Sequence, residues 1–217
     1  MPKVYFISGL GADERVFQFL SLPDVEKVFV QWLPPRPREP LPAYCRRLLP
    51  QFDLGQEINL VGISFGGIVA QEIARLVSCR RVLLISSVKS PQEMGWRLRL
   101  VARSRLYRVV PAWLLKWSNL LTANYYFGTE SAAEAVLLRQ IIQDTDQHFM
   151  RWAIAEIMRW PAQPVLPQVA HIHGGHDRIF PAGPICNATL LPGAGHFMVV
   201  NQAAAVSSFL RRELARH

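Results

Sequence analysis

Cysteine is scarce in this 217-residue chain: Cys45, Cys79 and Cys186 are odd in number, far apart and in no C-x-x-C pair. That pattern excludes a disulfide framework and a cysteine zinc site, and it makes a reducing compartment the expected setting. Charge is scarce too, at 18% of residues against 50% hydrophobic, which excludes a disordered chain and calls for a large buried core. Acids are the rarer sign, 16 against 24 Lys and Arg, so the net +8 admits anionic partners without choosing among acidic substrates, lipid surfaces and nucleic acid. No long apolar run is present. The longest stretch free of Asp, Glu, Lys and Arg, 179–210, is interrupted by Pro181, Pro184, Pro192, Gly193, Gly195 and His196, which a membrane helix would not choose. The opening MPKVYFISG enters a strand-like segment without the longer apolar region and cleavage site of a signal peptide, so a cytoplasmic protein is expected. No G-x-x-x-x-G-K-[ST] or G-x-G-x-x-G follows a strand, and no basic-aromatic pattern is present, so neither a nucleotide nor a nucleic-acid partner is expected.

What is there reads as one domain with an insertion. Short apolar runs predict strands at 3–9, 27–33, 58–63, 80–87, 169–174 and 187–191, most without the alternation of a half-exposed sheet. Helical segments near 13–20, 42–53, 66–78 and 201–215 lie between them. The expected fold is therefore α/β, a mostly parallel sheet with helices on both faces. Residues 34–42, PPRPREPLP, predict a stiff surface loop. Residues 89–163 lack strand signals and open on Ser90-Pro91-Gln92-Glu93, which reads as a capped helix start. Further helices are predicted from Ser131-Ala132-Ala133-Glu134 and from the face Phe149, Trp152, Ala153, Ile157 and Trp160. The expected organisation is a core of 1–88 and 164–217 with a helical lid at 89–163.

Strand 58–63 runs into Gly62-Ile63-Ser64-Phe65-Gly66-Gly67 and then a helix-like segment. A G-x-S-x-G at such a junction makes a tight turn that lifts the serine hydroxyl above the sheet, with glycines where neighbouring chain leaves no room for a Cβ. Ser64 is the candidate nucleophile. On these residues the chain resembles the α/β-hydrolase fold superfamily over essentially its whole length. The resemblance implies a triad in the order Ser, acid, His. Asp177, in the turn His176-Asp177-Arg178-Ile179-Phe180-Pro181 after the strand VAHIHGG, is similar to the family's acid; His196, in Pro192-Gly193-Ala194-Gly195-His196-Phe197, is similar to its base. Only 19 residues separate the two, so the helix expected between them is reduced to about one turn around PAGP. The resemblance also implies an oxyanion hole from the backbone N–H groups of Phe65 and of Leu10, the latter in Ser8-Gly9-Leu10-Gly11-Ala12, with Ser8 where the family usually has histidine.

Such a triad activates serine through a neutral imidazole oriented by a carboxylate, and it requires neither metal nor organic cofactor. His171-Ile172-His173-Gly174-Gly175-His176-Asp177 is similar to the H-x-H-x-D-H of binuclear metallohydrolases, but Gly175 stands where that motif needs Asp, and no metal site is expected. His171 and His173 alternate on one strand face as structural histidines. The leading expectation is a serine hydrolase acting on a small-molecule ester or thioester through an acyl-enzyme on Ser64. A C–C bond hydrolase, a hydroxynitrile-lyase-like enzyme, a cofactor-free perhydrolase and a non-catalytic receptor stay open as alternatives.

The lid residues Trp96, Leu98, Leu100, Val101, Leu106, Tyr107, Trp113, Leu114, Leu115 and Trp117 are candidates for an apolar acyl pocket or for lid core. Over 89–117, seven cations (Lys89, Arg97, Arg99, Arg103, Arg105, Arg108, Lys116) face the single acid Glu93. This segment suits an anionic or amphiphilic substrate, peripheral contact with an anionic membrane, or a solvated face.

Overall fold

The computed structural model describes residues 1–104 and 121–216. All six apolar runs form strands: β1 (Lys3–Ile7), β2 (Glu26–Phe29), β3 (Ile58–Ile63), β4 (Cys79–Ile85), β5 (Val169–Gly174) and β6 (Thr189–Leu191). They build one sheet in the order β2-β1-β3-β4-β5-β6 with every neighbouring pair parallel. The missing alternation has its cause here, because both faces of the sheet are covered. Tyr5, Ile7, Leu60, Val82 and Leu84 point into one core, while Val4, Phe6, Val61, Ile63, Leu83 and Ile85 point into the other. All six residues of the central β3 are buried, each large side chain contributing roughly 1.5–3 kcal/mol of apolar transfer free energy.

The first core is closed by α1 (Leu41–Leu48) and α2 (Phe65–Ala74), the second by α6 (Met198–Asn201), α7 (Ala203–Leu214) and a 3₁₀ turn at Glu14–Phe17. Several elements are shorter than the sequence suggests. The helix expected near 13–20 is only that 3₁₀ turn, capped by Asp13, whose side chain accepts from the Arg15 N–H. The segment 42–53 is α-helical from Leu41 to Leu48 and then tightens into a 3₁₀ turn, Leu49–Gln51, because Pro50 has no N–H to continue the ladder. The segment 66–78 stops at Ala74, and 201–215 is one helix, Ala203–Leu214, preceded across Gln202 by the short helix Met198–Asn201.

Between β4 and β5 the described residues hold α3 (Trp96–Ser104), a helical stretch at 121–127, α4 (Ala132–Asp144) and α5 (Gln147–Arg159). Ser131 caps α4 by accepting from the Glu134 N–H at 3.2 Å, as its spacing predicts, and Asp146 caps α5. The face Phe149, Trp152, Ala153 and Trp160 is buried against the first core, with Ile157 packed at its edge. Ser90-Pro91-Gln92-Glu93 is a correction: it forms a three-residue 3₁₀ turn, and no α-helix begins before Trp96. The Glu93 carboxylate does not cap Ser90. It is buried and accepts from the Lys89 N–H at 2.7 Å, while the chain leaves the turn extended at Met94.

Candidate active site

Parallel strands deliver their C-terminal ends to one edge of the sheet, where α/β folds place their sites. Ser64 follows β3 at that edge, the Ser8–Ala12 loop follows β1, Asp177 follows β5 and His196 follows β6. Ser64 sits at φ 51°, ψ −119°, a conformation that costs a non-glycine residue of order 1–3 kcal/mol and persists only where its surroundings enforce it. The enforcement is visible: the Ser64 N–H donates to Ile85 O at 3.0 Å, and Ser87 Oγ donates to Ser64 O at 2.7 Å. A Cβ on Gly62 would lie 2.4 Å from Gly66 O, and one on Gly66 would lie 2.2 Å from both Ile7 O and Ser8 O. Those obstacles are backbone, so they cannot rotate away. Gly66→Ala is therefore expected to cost about 3 kcal/mol, at the upper end for an overpacked core, read as a lowered urea midpoint. A midpoint equal to wild type would show that β1 and α2 are not locked together here.

The acid turn and the histidine turn are built against each other. A Cβ on Gly174 would meet Ala194 O at 2.4 Å, so only glycine lets the end of β5 touch the 194–195 loop. His176 N–H donates to Ala194 O and Gly175 N–H to Leu191 O, each at 2.9 Å. Asp177 is buried; its Oδ1 accepts from the N–H groups of Ile179 and Phe180 at 2.8 Å, and its Oδ2 lies 2.6 Å from His196 Nδ1. A carboxylate bonded this way accepts only, which places the proton of His196 on Nδ1 and leaves Nε2 a lone pair. The edges of Phe127 and Phe180 fix the ring, with centroids 5.4 and 5.7 Å away. In place of a helix between Asp177 and His196 there is one hydrogen-bonded turn, from Ile185 N–H to Ala182 O.

In the loop after β1, the buried Ser8 donates to Ala12 O at 2.6 Å and accepts from Trp32 Nε1 at 2.9 Å. Ser8 thus closes the loop internally. Phe65 opens α2, so its N–H belongs to the first turn of a helix, where no intrahelical acceptor exists. Leu10, Gly9, Ser64 and His196 line one cavity of about 900 Å³. Its remaining wall is mainly apolar and drawn from α3, α4 and α5, including Leu98, Ile141, Met150 and Ile154, together with the 121–127 stretch and the segment 178–184. Of the lid candidates, Trp96, Leu98 and Val101 reach the cavity and Leu100 is exposed outside it. Leu106, Tyr107, Trp113, Leu114, Leu115 and Trp117 lie outside the described residues.

Several contributors carry no motif and escaped the sequence reading: Ser87 behind the elbow, Trp32 behind the β1 loop, and Phe127 against His196. All act through contacts distant in sequence, which no local pattern records. His171 and His173 are buried and bonded to one another, whereas His176 is exposed, so the three do not converge as metal ligands. Burial drives both buried imidazoles below their usual range, His171 the further.

Solved structures share this architecture. An esterase from Thermogutta terrifontis superposes with a TM-score of 0.71 at 18% identity, covering 99% of this chain and 89% of that one. A bromoperoxidase from Bacillus anthracis gives 0.72 at 15% identity, covering 99% and 92%, and an epoxide hydrolase from Bacillus megaterium gives 0.69 at 12%, covering 100% and 94%. At such identities the likeness is one of fold. No curated protein matches the sequence. The family model described as "Alpha/beta hydrolase family" matches residues 4–209, nearly the whole chain, and the chain belongs to that family.

Proposed function

We propose that this chain is a serine hydrolase that cleaves a carboxylic ester or thioester through an acyl-enzyme on Ser64. The observation that carries the reading is that a serine in a strained elbow and a histidine bonded to a buried carboxylate open on the same apolar cavity. In the first half-reaction His196 Nε2 takes the Ser64 proton as Oγ attacks the carbonyl carbon. The resulting oxyanion is received by the Leu10 and Phe65 N–H groups. Collapse breaks the bond to the alcohol or thiol, which leaves with the proton from His196. Water then attacks the acyl-serine, gives its proton to His196, and the acid departs as that proton returns to Ser64 Oγ. Asp177 keeps the imidazole in the required tautomer and offsets its charge. The cycle calls for no metal or organic cofactor. Residues 89–163 serve as a lid, and its described helices α3, α4 and α5 wall the acyl pocket. The three free thiols, with those of Cys45 and Cys79 made unreactive by burial, suit a cytoplasmic setting. Incubation with a fluorophosphonate probe, then panels of esters and thioesters, tests the reading; an unlabelled, inactive wild-type protein overturns it.

The charge at the cavity mouth favours a substrate bearing an anion. Arg97, Arg99 and Arg178 line the cavity and no Asp or Glu does so among the described residues. Elsewhere Arg15, Arg47, Arg75, Arg159, Arg212 and Arg216 each pair with a carboxylate. Lys89 and Glu93 drop out of the surface count, since they pair with each other in the interior. Arg105, Arg108 and Lys116 lie outside the described residues. Replacing Arg97, Arg99 and Arg178 together with Gln is expected to raise KM for decanoyl-coenzyme A about tenfold at low salt, given that each exposed charge is worth a fraction of a kcal/mol. The neutral decanoyl N-acetylcysteamine thioester changes less than about twofold, and the difference fades at high salt, where exposed charges are screened. Equal effects on both thioesters would remove the anion from the reading. Binding to anionic vesicles without any change in KM would assign the cations to a lipid surface instead.

A further inference from the structure

A line of buried polar side chains runs inward from the candidate acid, and the catalytic cycle above does not use it. His173 Nε2 lies 2.8 Å from Phe180 O and 3.6 Å from Asp177 Oδ2; His173 Nδ1 lies 3.3 Å from His171 Nε2; His171 Nδ1 lies 3.4 Å from Lys89 Nζ. Lys89 Nζ pairs with Glu93 Oε1 at 3.0 Å and donates to Cys186 O, while Cys186 N–H donates to the same Glu93 oxygen at 3.1 Å. Lys89 is only 6% exposed and His173 not at all.

The direction of every hydrogen bond in this line follows from its two ends. Phe180 O can only accept, so His173 Nε2 carries a proton. In a neutral imidazole Nδ1 then accepts, so His171 donates from Nε2 and accepts at Nδ1. An ammonium, which can only donate, supplies that last bond. Protonating His173 would reverse the middle bond and turn a His171 N–H toward the Lys89 ammonium, donor against donor. Asp177 Oδ2 therefore stands between two imidazoles, His196 at 2.6 Å and His173 at 3.6 Å, and only the second is tied to a fixed cation.

We propose that Lys89, acting through His171, holds His173 as a neutral Nε2–H tautomer, so that the charge of Asp177 is reserved for His196. Lys89, His171 and His173 are positioning residues in this scheme, which rests on Asp177 and His196 being the acid and base proposed above. The groups facing His173 are Asp177, His196, His171 and, further off, Glu93, with burial opposing its charge most strongly. Without the cation at the far end the donor-against-donor clash is gone, only burial and the neighbouring His196 still oppose the proton, and His173 takes it at higher pH than in wild type and competes for the carboxylate.

Nitrogen-15 NMR of histidine-labelled protein tests this directly and needs no substrate. In wild type, His171 and His173 are expected as Nε2–H tautomers that do not titrate between pH 5 and 8. In Lys89→Met/Glu93→Gln, which removes the buried pair together, and in His171→Leu, which keeps it, His173 is expected to titrate within that range. The acid limb of log kcat/KM against pH should steepen from a slope of one toward two as the second proton binds. Two variants are used because either substitution can fail to fold. A His173 that titrates in wild type, or one that stays neutral in a folded variant, overturns the proposal. Fluorophosphonate labelling of wild type separates that outcome from a failure of the hydrolase reading, because it needs a Ser64 activated by its base and does not depend on which tautomer His173 holds.

Discussion

With Ser64 replaced by alanine, fluorophosphonate labelling is expected to vanish and kcat for ester cleavage to fall by a factor on the order of 10⁴ or more. The loss is that large because the covalent route is gone, while binding and the two N–H donors retain only their share of the rate enhancement. The fold should survive. The bonds that pin residue 64 are made by its backbone, N–H to Ile85 O and C=O from Ser87 Oγ, and alanine keeps both. Ser64→Gly is the matching control: it is equally inactive, yet glycine accepts φ 51° without penalty and should raise stability by about 1 kcal/mol. Labelling that persists in either variant would move the nucleophile elsewhere.

Asp177→Asn is expected to lower kcat by about 10⁴ at neutral pH with KM little changed. The amide is nearly isosteric, so the two N–H bonds from Ile179 and Phe180 to Oδ1 can persist. What fails is the bond at 2.6 Å to His196 Nδ1. A side-chain NH₂ placed there would donate to Nδ1 and push the imidazole proton to Nε2, the atom that has to receive the proton of Ser64. Stopped assays at pH 7 with a fluorogenic ester, alongside thermal unfolding, measure both parts. Activity within tenfold of wild type in a folded protein would show that another group orients His196.

The strands were legible because a strand buried on both faces has no polar side to blur it, and all six runs were found. The helices were less so at their ends: Pro50 truncates a pattern whose hydrophobicity continues past it, whereas the last helix was found within two residues of its ends. Ser90-Pro91-Gln92-Glu93 misled for a different reason. Its carboxylate has a better partner in Lys89, four residues before it, and the buried pair is completed by the backbone N–H and C=O of Cys186, far along the chain. At the site, the motifs that mark turns placed Ser64, Asp177 and His196 correctly relative to the strand ends. The groups that hold those turns, Trp32, Ser87 and Phe127, reach them from unrelated segments, and single-sequence patterns carry no record of such meetings.

Ser64 and His196 stand on strands of very unequal security. β3 lies inside the sheet with partners on both sides and all its residues buried, whereas β6 is a three-residue strand with β5 as its sole partner among the described residues and Thr189 and Leu190 in solvent. Local opening of such a strand takes far less free energy than global unfolding. Amide protons of β6 should therefore exchange by sub-global fraying while those of β3 wait for the whole molecule to unfold. If the proposed site is the working one, the molecule's lifetime under mild heat or denaturant is then set by the weakest strand that leads into it, and His196 will leave the cavity it shares with Ser64 while spectroscopy still reports an intact sheet.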